Sequence, residues 1–357
     1  MNELQQMLDD TVTRLFGDLV TKELLQDAET WEESEAVWPG ALWRSVEENG
    51  LTQPVTPEIM GGVGANWADS YVIARAAGYY AAPIPLVETI LGSWLLSRCG
   101  LTPPEGTLTV APVREGESLE VDANGLSGRV TSVPWGRRAG HVVVIARGGA
   151  GPIIVLVEGS SATIEEDCNM AREARDTLIF DNALVVDSAP LTDALGRNPI
   201  HLYGAMLRAA QTAGAVQRVL EEGVQYAKDR IQFGRPIAKF QIIQQYLATV
   251  GSQSAAAGAA AQNAFRAADR GDPLLDIAAA KVVAGDAATT AASIVHQTHG
   301  AIGFTYEHSL HFSTRRLWSW RGEFGGEAYW AEILGRSVAR RGADALWSDL
   351  TARQAGL

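Results

Sequence analysis

The sequence is poor in cysteine, in lysine and in long apolar runs, and each scarcity excludes something. Its two cysteines, Cys99 and Cys168, lie far apart with no CxxC pair in 357 residues. That excludes a disulfide framework and the common zinc motifs, and no metal is expected. No window approaches the ~20 uninterrupted apolar residues of a membrane span. The N-terminal stretch MNELQQMLDD lacks the basic region and apolar run of a secretory signal. No membrane partner and a cytoplasmic location are the resulting expectations. Lysine occurs only at Lys22, Lys228, Lys239 and Lys281, so arginine supplies nearly all the positive charge. Lys+Arg 29 against Asp+Glu 42 leaves a net charge of −13, the wrong sign for a protein that grips nucleic acid. There is no GxGxxG, no GxxxxGK[ST], no HExxH and no GxSxG, which removes support from Rossmann, P-loop, zincin and common hydrolase chemistry.

What is present folds: apolar residues make up 46% and charged residues 20%, an ordinary globular balance. At roughly 150 residues per domain, the length suits two or three domains. The texture changes twice along the chain. Residues 1–104 carry helical apolar spacing broken by turns such as Gly61-Gly62-Val63-Gly64, and predict a helical domain. Residues 105–196 are rich in β-branched runs (Leu108 to Val113, Leu126 to Val133, His141 to Ala146, Ile153 to Val157, Thr177 to Val186) and predict a β-sandwich or barrel. Gly148-Gly149-Ala150-Gly151 reads as a hairpin turn between two of these runs. In residues 197–357, Met206, Ala210, Ala213, Val216, Leu220, Val224 and Ala227 step by three and four along a long helix. Further helices are expected from about Phe240 to Ala268, Leu274 to Gly300 and about Gly326 to Ala345. Their small side chains suit an antiparallel four-helix bundle. The fold class expected is α+β, mainly α.

Two segments invite chemistry. Arg230 to Gln241 interrupts the bundle with Gly234 and Pro236, and gathers Arg230, Arg235 and Lys239 at the start of a helix. Guanidinium groups and a helix N-terminus suit a pyrophosphate, while Gln232 and Phe233 suit a flat ring. An ordinary interhelical turn would use the same residues. The second segment is Gln297 to Thr305 with Gly300 and Gly303, where glycines allow close backbone approach to a ligand or simply end a helix. His296 and His299 share a helix face, yet no carboxylate stands at a matching spacing for a metal.

RxQFGxPIxxFQxxQxxLA at Arg230 to Ala248, with QxHGxxGFTxE at Gln297 to Glu307, resembles the acyl-CoA dehydrogenase family of flavoproteins. Leu42-Trp43, Glu48 to Leu51, Pro57-Glu58, Gly61 to Gly64 and Leu126-Ser127-Gly128 extend the resemblance along the chain. It implies FAD, an acyl-CoA substrate dehydrogenated between Cα and Cβ to a 2-enoyl-CoA, and an electron-transfer flavoprotein as acceptor. It further implies that Arg230, Gln232, Phe233, Ile237 and Gln241 contact the adenine-diphosphate part of an FAD held mainly by a neighbouring subunit. Gln297, Gly300 and Ala301 would lie along the same cofactor, so a homo- or hetero-oligomer is expected.

The sequence departs from the family in one respect that concerns catalysis. The family's TEPxxGSD and WxTN stretches are replaced at Val110 to Gly116 and Arg129 to Trp135. Its catalytic glutamate position falls on Phe324 or Gly325, and the alternative position on Gly204, with Ala205 where an arginine is common. Glu323 and Glu327 flank the gap as candidate bases. This pattern, with the Arg315-Arg316-Leu317-Trp318-Ser319-Trp320 run, resembles the partner subunit of heteromeric actinobacterial acyl-CoA dehydrogenases that act on steroid side-chain thioesters. A self-sufficient homomer using Glu323 or Glu327, and a flavin-free paralogue that only stabilises a partner, are the alternatives.

Overall fold

The computed structural model describes residues 2–29, 37–196 and 198–352. Arg197, at the expected junction between the second and third segments, lies outside the described residues, as do the final five residues of the third.

The first segment folds as α1 (Glu3–Leu19), α2 (Lys22–Ala28), α3 (Gly40–Glu48), α4 (Trp67–Tyr79) and α5 (Leu86–Arg98). Capping follows the sequence: Asn2 accepts from Gln5 N–H and closes a capping box on α1, while Thr21 and Asn66 cap α2 and α4. α4 and α5 lie buried on nearly every face, with polar residues such as Asp69 and Glu88 enclosed among the apolar ones.

The middle segment is one mixed eight-stranded sheet. Its strands are β1 (Leu108–Val110), β2 (Leu119–Asp122), β3 (Gly125–Pro134), β4 (His141–Gly148), β5 (Gly151–Glu158), β6 (Thr163–Glu165), β7 (Arg175–Ala183) and β8 (Val185–Pro190). Their order is β6-β7-β3-β2-β4-β5-β8, with β1 parallel to β4. The Gly148 to Gly151 turn joins β4 and β5 in antiparallel register, with Gly151 at φ +136°. Alternation along the central strands serves two cores. Val143, Ile154 and Leu156 face the helical core, while Val142, Val144, Val155 and Val157 face a separate core with Leu126, Leu178 and Phe180. The expected run Thr177 to Val186 divides at Leu184, after Asn182 turns to φ +52°. β2 and β6, four and three residues long, are too short and too exposed for periodicity to reveal.

The third segment is built on α6 (Pro199–Asp229), α7 (Gln241–Arg270) and α8 (Leu274–His299), followed by α9 (Leu310–Trp320), α10 (Glu327–Arg341) and α11 (Ala343–Ala352). The single helix expected from Gly326 to Ala345 breaks at Gly342, φ +84°, and α9 is an addition to the expected bundle. Gly78 of α4 and Gly214 of α6 let their helices touch backbone to backbone. A Cβ at either would lie about 2 Å from a carbonyl oxygen of the other helix (1.9 Å to Gln211 and 2.0 Å to Arg75). α8 is apolar and long enough to cross a membrane, but it packs between α6, α7 and α10, which accounts for its composition. Cys99 and Cys168 form no disulfide.

Candidate functional site

Asn198 caps α6 by accepting from His201 N–H (3.2 Å), and Pro199 begins the first turn. With 31 residues at about 1.5 Å each, the helix spans about 46 Å. Both segments that invite chemistry fall at its C-terminal end, and the replaced family stretches with the base positions fall at its N-terminal end.

At the C-terminal end, Arg230 terminates α6 and its N–H donates to Tyr226 O (2.9 Å). A two-stranded hairpin follows, β9 (Ile231–Gln232) against β10 (Arg235–Pro236). Its turn residues Phe233 and Gly234 both take positive φ, +52° and +76°, the geometry of a tight hairpin. The phenyl ring of Phe233 is 92% exposed. Arg235 stacks over Phe240 (4.4 Å), and Gln232 Nε2 donates to Ile231 O (2.8 Å). Ile237 lies half-buried in a short 3-10 turn, and Gln241 opens α7.

Gln297, Gly300 and Ala301 lie at the end of α8, all exposed. They belong to the same end of the bundle, because Tyr226 of α6 stacks on His299 of α8 (4.3 Å, 21°). Beside them a cavity of about 570 Å³ is lined by Gln297, Gly300, His296, Phe304, His311 and Trp318, among others. His299 and His311 each hold a backbone carbonyl at 2.8 Å through Nδ1, so Nδ1 carries the proton. Their Nε2 atoms are buried acceptors without a donor. Burial pulls both imidazoles down to about 4, so they are neutral at physiological pH.

At the N-terminal end of α6, the stretches that replace the family motifs meet both candidate base positions. Pro112, Arg114, Ser132, Pro134, Glu323 and Phe324 share the wall of a cavity of about 490 Å³. The two base positions touch: a Cβ on Gly204 would lie 2.5 Å from the Phe324 ring. Phe324 is held in that place at φ +53°, and Trp330 Nε1 donates to its carbonyl (3.0 Å).

Glu323 is committed elsewhere. Arg175 Nε donates to its Oε1 (2.8 Å), Arg208 Nε to its Oε2 (2.7 Å) and Asn169 Nδ2 to its Oε1 (3.1 Å). Burial alone would raise its pKa, but the guanidinium groups outweigh that and hold it down at about 2. Glu327 is not on the cavity wall. It pairs with Arg321 (2.9 Å) and sits against Gly285 of α8, where a Cβ would lie 2.4 Å from its carboxylate. At the first turn of α10 it also meets the positive end of the helix.

Behind Glu323 runs a buried chain of charge that sequence reasoning missed. Arg208 continues to Glu88 of α5 (2.6 Å) and to Gln211. Arg175 continues to Glu173 (2.9 Å), which also accepts from Trp320 Nε1 (2.9 Å) and forms a less well aligned ion pair with Arg316 (3.1 Å). Arg316 and Arg315 end the chain on Glu29 after α2. Lys281, fully buried on α8, donates to the carbonyls of Trp320 and Arg321 (2.8 Å each), and burial lowers its pKa to about 7. The available signal was a charge inside an apolar run, as in Leu86-Val87-Glu88-Thr89-Ile90 and Met206-Leu207-Arg208-Ala209.

Comparison with known proteins places this architecture. Residues 2–102 match the acyl-CoA dehydrogenase N-terminal domain and residues 202–339 its C-terminal domain. The chain is 28% identical over 320 residues to acyl-CoA dehydrogenase IpdE2 of Mycobacterium tuberculosis, covering 88% of this chain and 91% of that protein. A variant of the steroid ACAD Tcur3481-Tcur3483 superposes with a TM-score of 0.83 at 25% identity, over 94% of this chain and 98% of the other. The ChsE4-ChsE5 complex from Mycobacterium tuberculosis shares the fold at a TM-score of 0.83 and 23% identity, over 96% and 99%. With both helical domains matched on either side of the sheet, the chain belongs to the acyl-CoA dehydrogenase family, FAD-dependent oxidoreductases that act on acyl-CoA.

Proposed function

We propose that this chain is the flavin-sharing subunit of a heteromeric acyl-CoA dehydrogenase, acting with a catalytic partner on a bulky acyl-CoA. One observation carries the reading: the two places where the family keeps its base are a glycine and a phenyl ring packed against each other. Neither can take the α-proton, and Glu323 beside them is ionised between two guanidinium groups, a weak acceptor. The partner supplies the base.

The C-terminal end of α6 fits a shared FAD. Arg230, Gln232, Phe233, Gln241, Gln297, Gly300 and Ala301 are exposed and Ile237 is half-buried, so a cofactor can reach them without unpacking the core. In the adjoining cavity, the donor-less Nε2 of His311 could accept from a ligand hydroxyl. Arg230 would face the anionic pyrophosphate, and Phe233 the flat adenine. When bound, FAD supplies the redox chemistry by taking the β-hydrogen as hydride. The product would be a 2-enoyl-CoA, and an electron-transfer flavoprotein would be the acceptor of the electrons. The steroid ACAD relative supports a bulky acyl group.

The test is the absorption spectrum and acyl-CoA reduction of the chain made alone and made with its partner. The chain alone should be colourless and inert, and the complex yellow and active. A yellow, acyl-CoA-reducible chain alone would overturn the proposal in favour of a homomer using Glu323 or Glu327. A colourless active complex would favour the flavin-free paralogue.

A further inference from the structure

On the cavity at the N-terminal end of α6, three polar side chains have no hydrogen-bond partner among the described residues: the Ser132 hydroxyl, the Arg114 guanidinium and the His201 ring. Arg114, on the loop between β1 and β2, makes no side-chain hydrogen bond or ion pair among the described residues. Only its backbone is held: its N–H donates to the Glu117 carboxylate (2.9 Å) and its carbonyl accepts from Glu117 N–H (3.0 Å). His201, in the first turn of α6, has its Nε2 buried without a partner. Its ring stacks on Trp330 (5.4 Å, 23°) and is met edge-on by Tyr329 (5.1 Å). The packing needs Gly325, where a Cβ would lie 3.1 Å from His201 Nε2 and 2.7 Å from Trp330 Nε1.

Arg114 and His201 stand apart from the other nitrogen-bearing side chains of the wall. Arg175 is occupied by Glu173 and Glu323, and Asn169 donates to the same two carboxylates. Asp167 is the opposing charge: its Oδ1 accepts from Cys168 N–H (2.7 Å). At about 490 Å³ the cavity falls within the roughly 300–1,000 Å³ typical of small-molecule sites. An unused guanidinium at such a cavity matches anionic oxygens, for which charge-assisted hydrogen bonds are the strong ones, and the neutral His201 ring on the same wall donates to them in its Nε2–H tautomer.

We propose that Arg114 and His201 form an anion subsite on this cavity, so that the chain binds a small phosphate- or carboxylate-bearing ligand although its base positions are filled. Binding is read without FAD or turnover, so its failure leaves the shared-flavin reading standing, and the reverse holds too.

The test is calorimetric titration of the full chain, purified without a partner, with coenzyme A, with glutarate and with pantetheine, which has neither phosphate nor carboxylate. Coenzyme A or glutarate should bind, and pantetheine more weakly. Arg114→Met should weaken the anionic ligand at least tenfold, equivalent to about 1.4 kcal/mol. His201→Phe should weaken it less, and Asp167→Asn should tighten it by removing a like charge. Loss confined to coenzyme A identifies phosphate as the bound group; loss with glutarate identifies carboxylate. No binding of either anion, pantetheine as tight as coenzyme A, or titrations unchanged in Arg114→Met would each overturn the proposal. Arg114 is exposed, so its replacement should leave the melting temperature unchanged and keep the result interpretable.

Discussion

The two ends of α6 treat their polar groups in opposite ways. At the N-terminal end, Glu88, Glu173 and Glu323 are each met by at least one guanidinium, and Phe324 closes against Gly204. At the C-terminal end, Arg230, Gln232, Phe233 and Gln297 are exposed, and the imidazoles of His299 and His311 hold buried acceptors with no donor. The first end sets its buried carboxylates against its own guanidinium groups and leaves only the cavity wall, with Arg114 and His201, open. The second leaves its polar groups exposed or, at the two imidazoles, without a donor among the described residues. On the shared-flavin reading proposed above, one end would keep the fold rigid and the other would meet a cofactor and a partner.

The contrast breaks most visibly at Arg208. Its guanidinium is fully buried, holds Glu323 and Glu88 together, and lies 5.7 Å from the rings of Trp320 and Phe324. Arg208→Met keeps the stem and removes the charge, leaving Glu88 without a cation and Glu323 with Arg175 alone. Removing one partner of a buried pair costs about 3–5 kcal/mol, and the denaturant midpoint should fall accordingly. A loss below about 1 kcal/mol would mean that water already screens this end, as at an exposed pair.

The layered order of helix, sheet and bundle was legible because it rests on local signals. Apolar spacing marked α6, Ala-rich stretches marked α7 and α8, β-branched runs marked β4 and β5, and glycines marked the hairpin between them. The exposed C-terminal end was legible for the same reason, since its residues lie in two continuous stretches. The closed end was not. Glu29, Glu88, the Glu173–Arg175 pair, Arg208 and Arg316 come from five places in the chain, and pairing among buried charges depends mainly on tertiary contact rather than spacing. Counting along the sequence did find Gly204 and Phe324 as separate gaps, but only the packing shows that they fill each other.

That mutual filling gives the next test. Gly204→Ala places a methyl group 2.5 Å from the Phe324 ring, and overpacking of this kind costs about 1–3 kcal/mol. Phe324→Ala removes the ring and leaves room for the methyl. The double variant should therefore recover part of the Gly204→Ala loss, with a coupling of about 0.5–3 kcal/mol in denaturant unfolding. Strict additivity would mean that the ring moves aside at no cost and that the closed end is less rigid than its contacts imply.

The smallest expected stability change lies at the open end. Gln297 is exposed on the last turn of α8 and no hydrogen bond ties its side chain to the described residues. Arg230 is likewise exposed, and its backbone rather than its side chain holds the hairpin, through Tyr226 O and Ile237 N–H. Gln297→Ala and Arg230→Ala should therefore shift the unfolding free energy by no more than about 0.5 kcal/mol. If that end exists to meet a shared cofactor, the same two changes should lower the flavin retained by the assembled complex through desalting. Stability and flavin content then separate: the closed end governs the first and the open end the second. A complex that keeps its full flavin in both variants would reduce the open end to an ordinary interhelical turn.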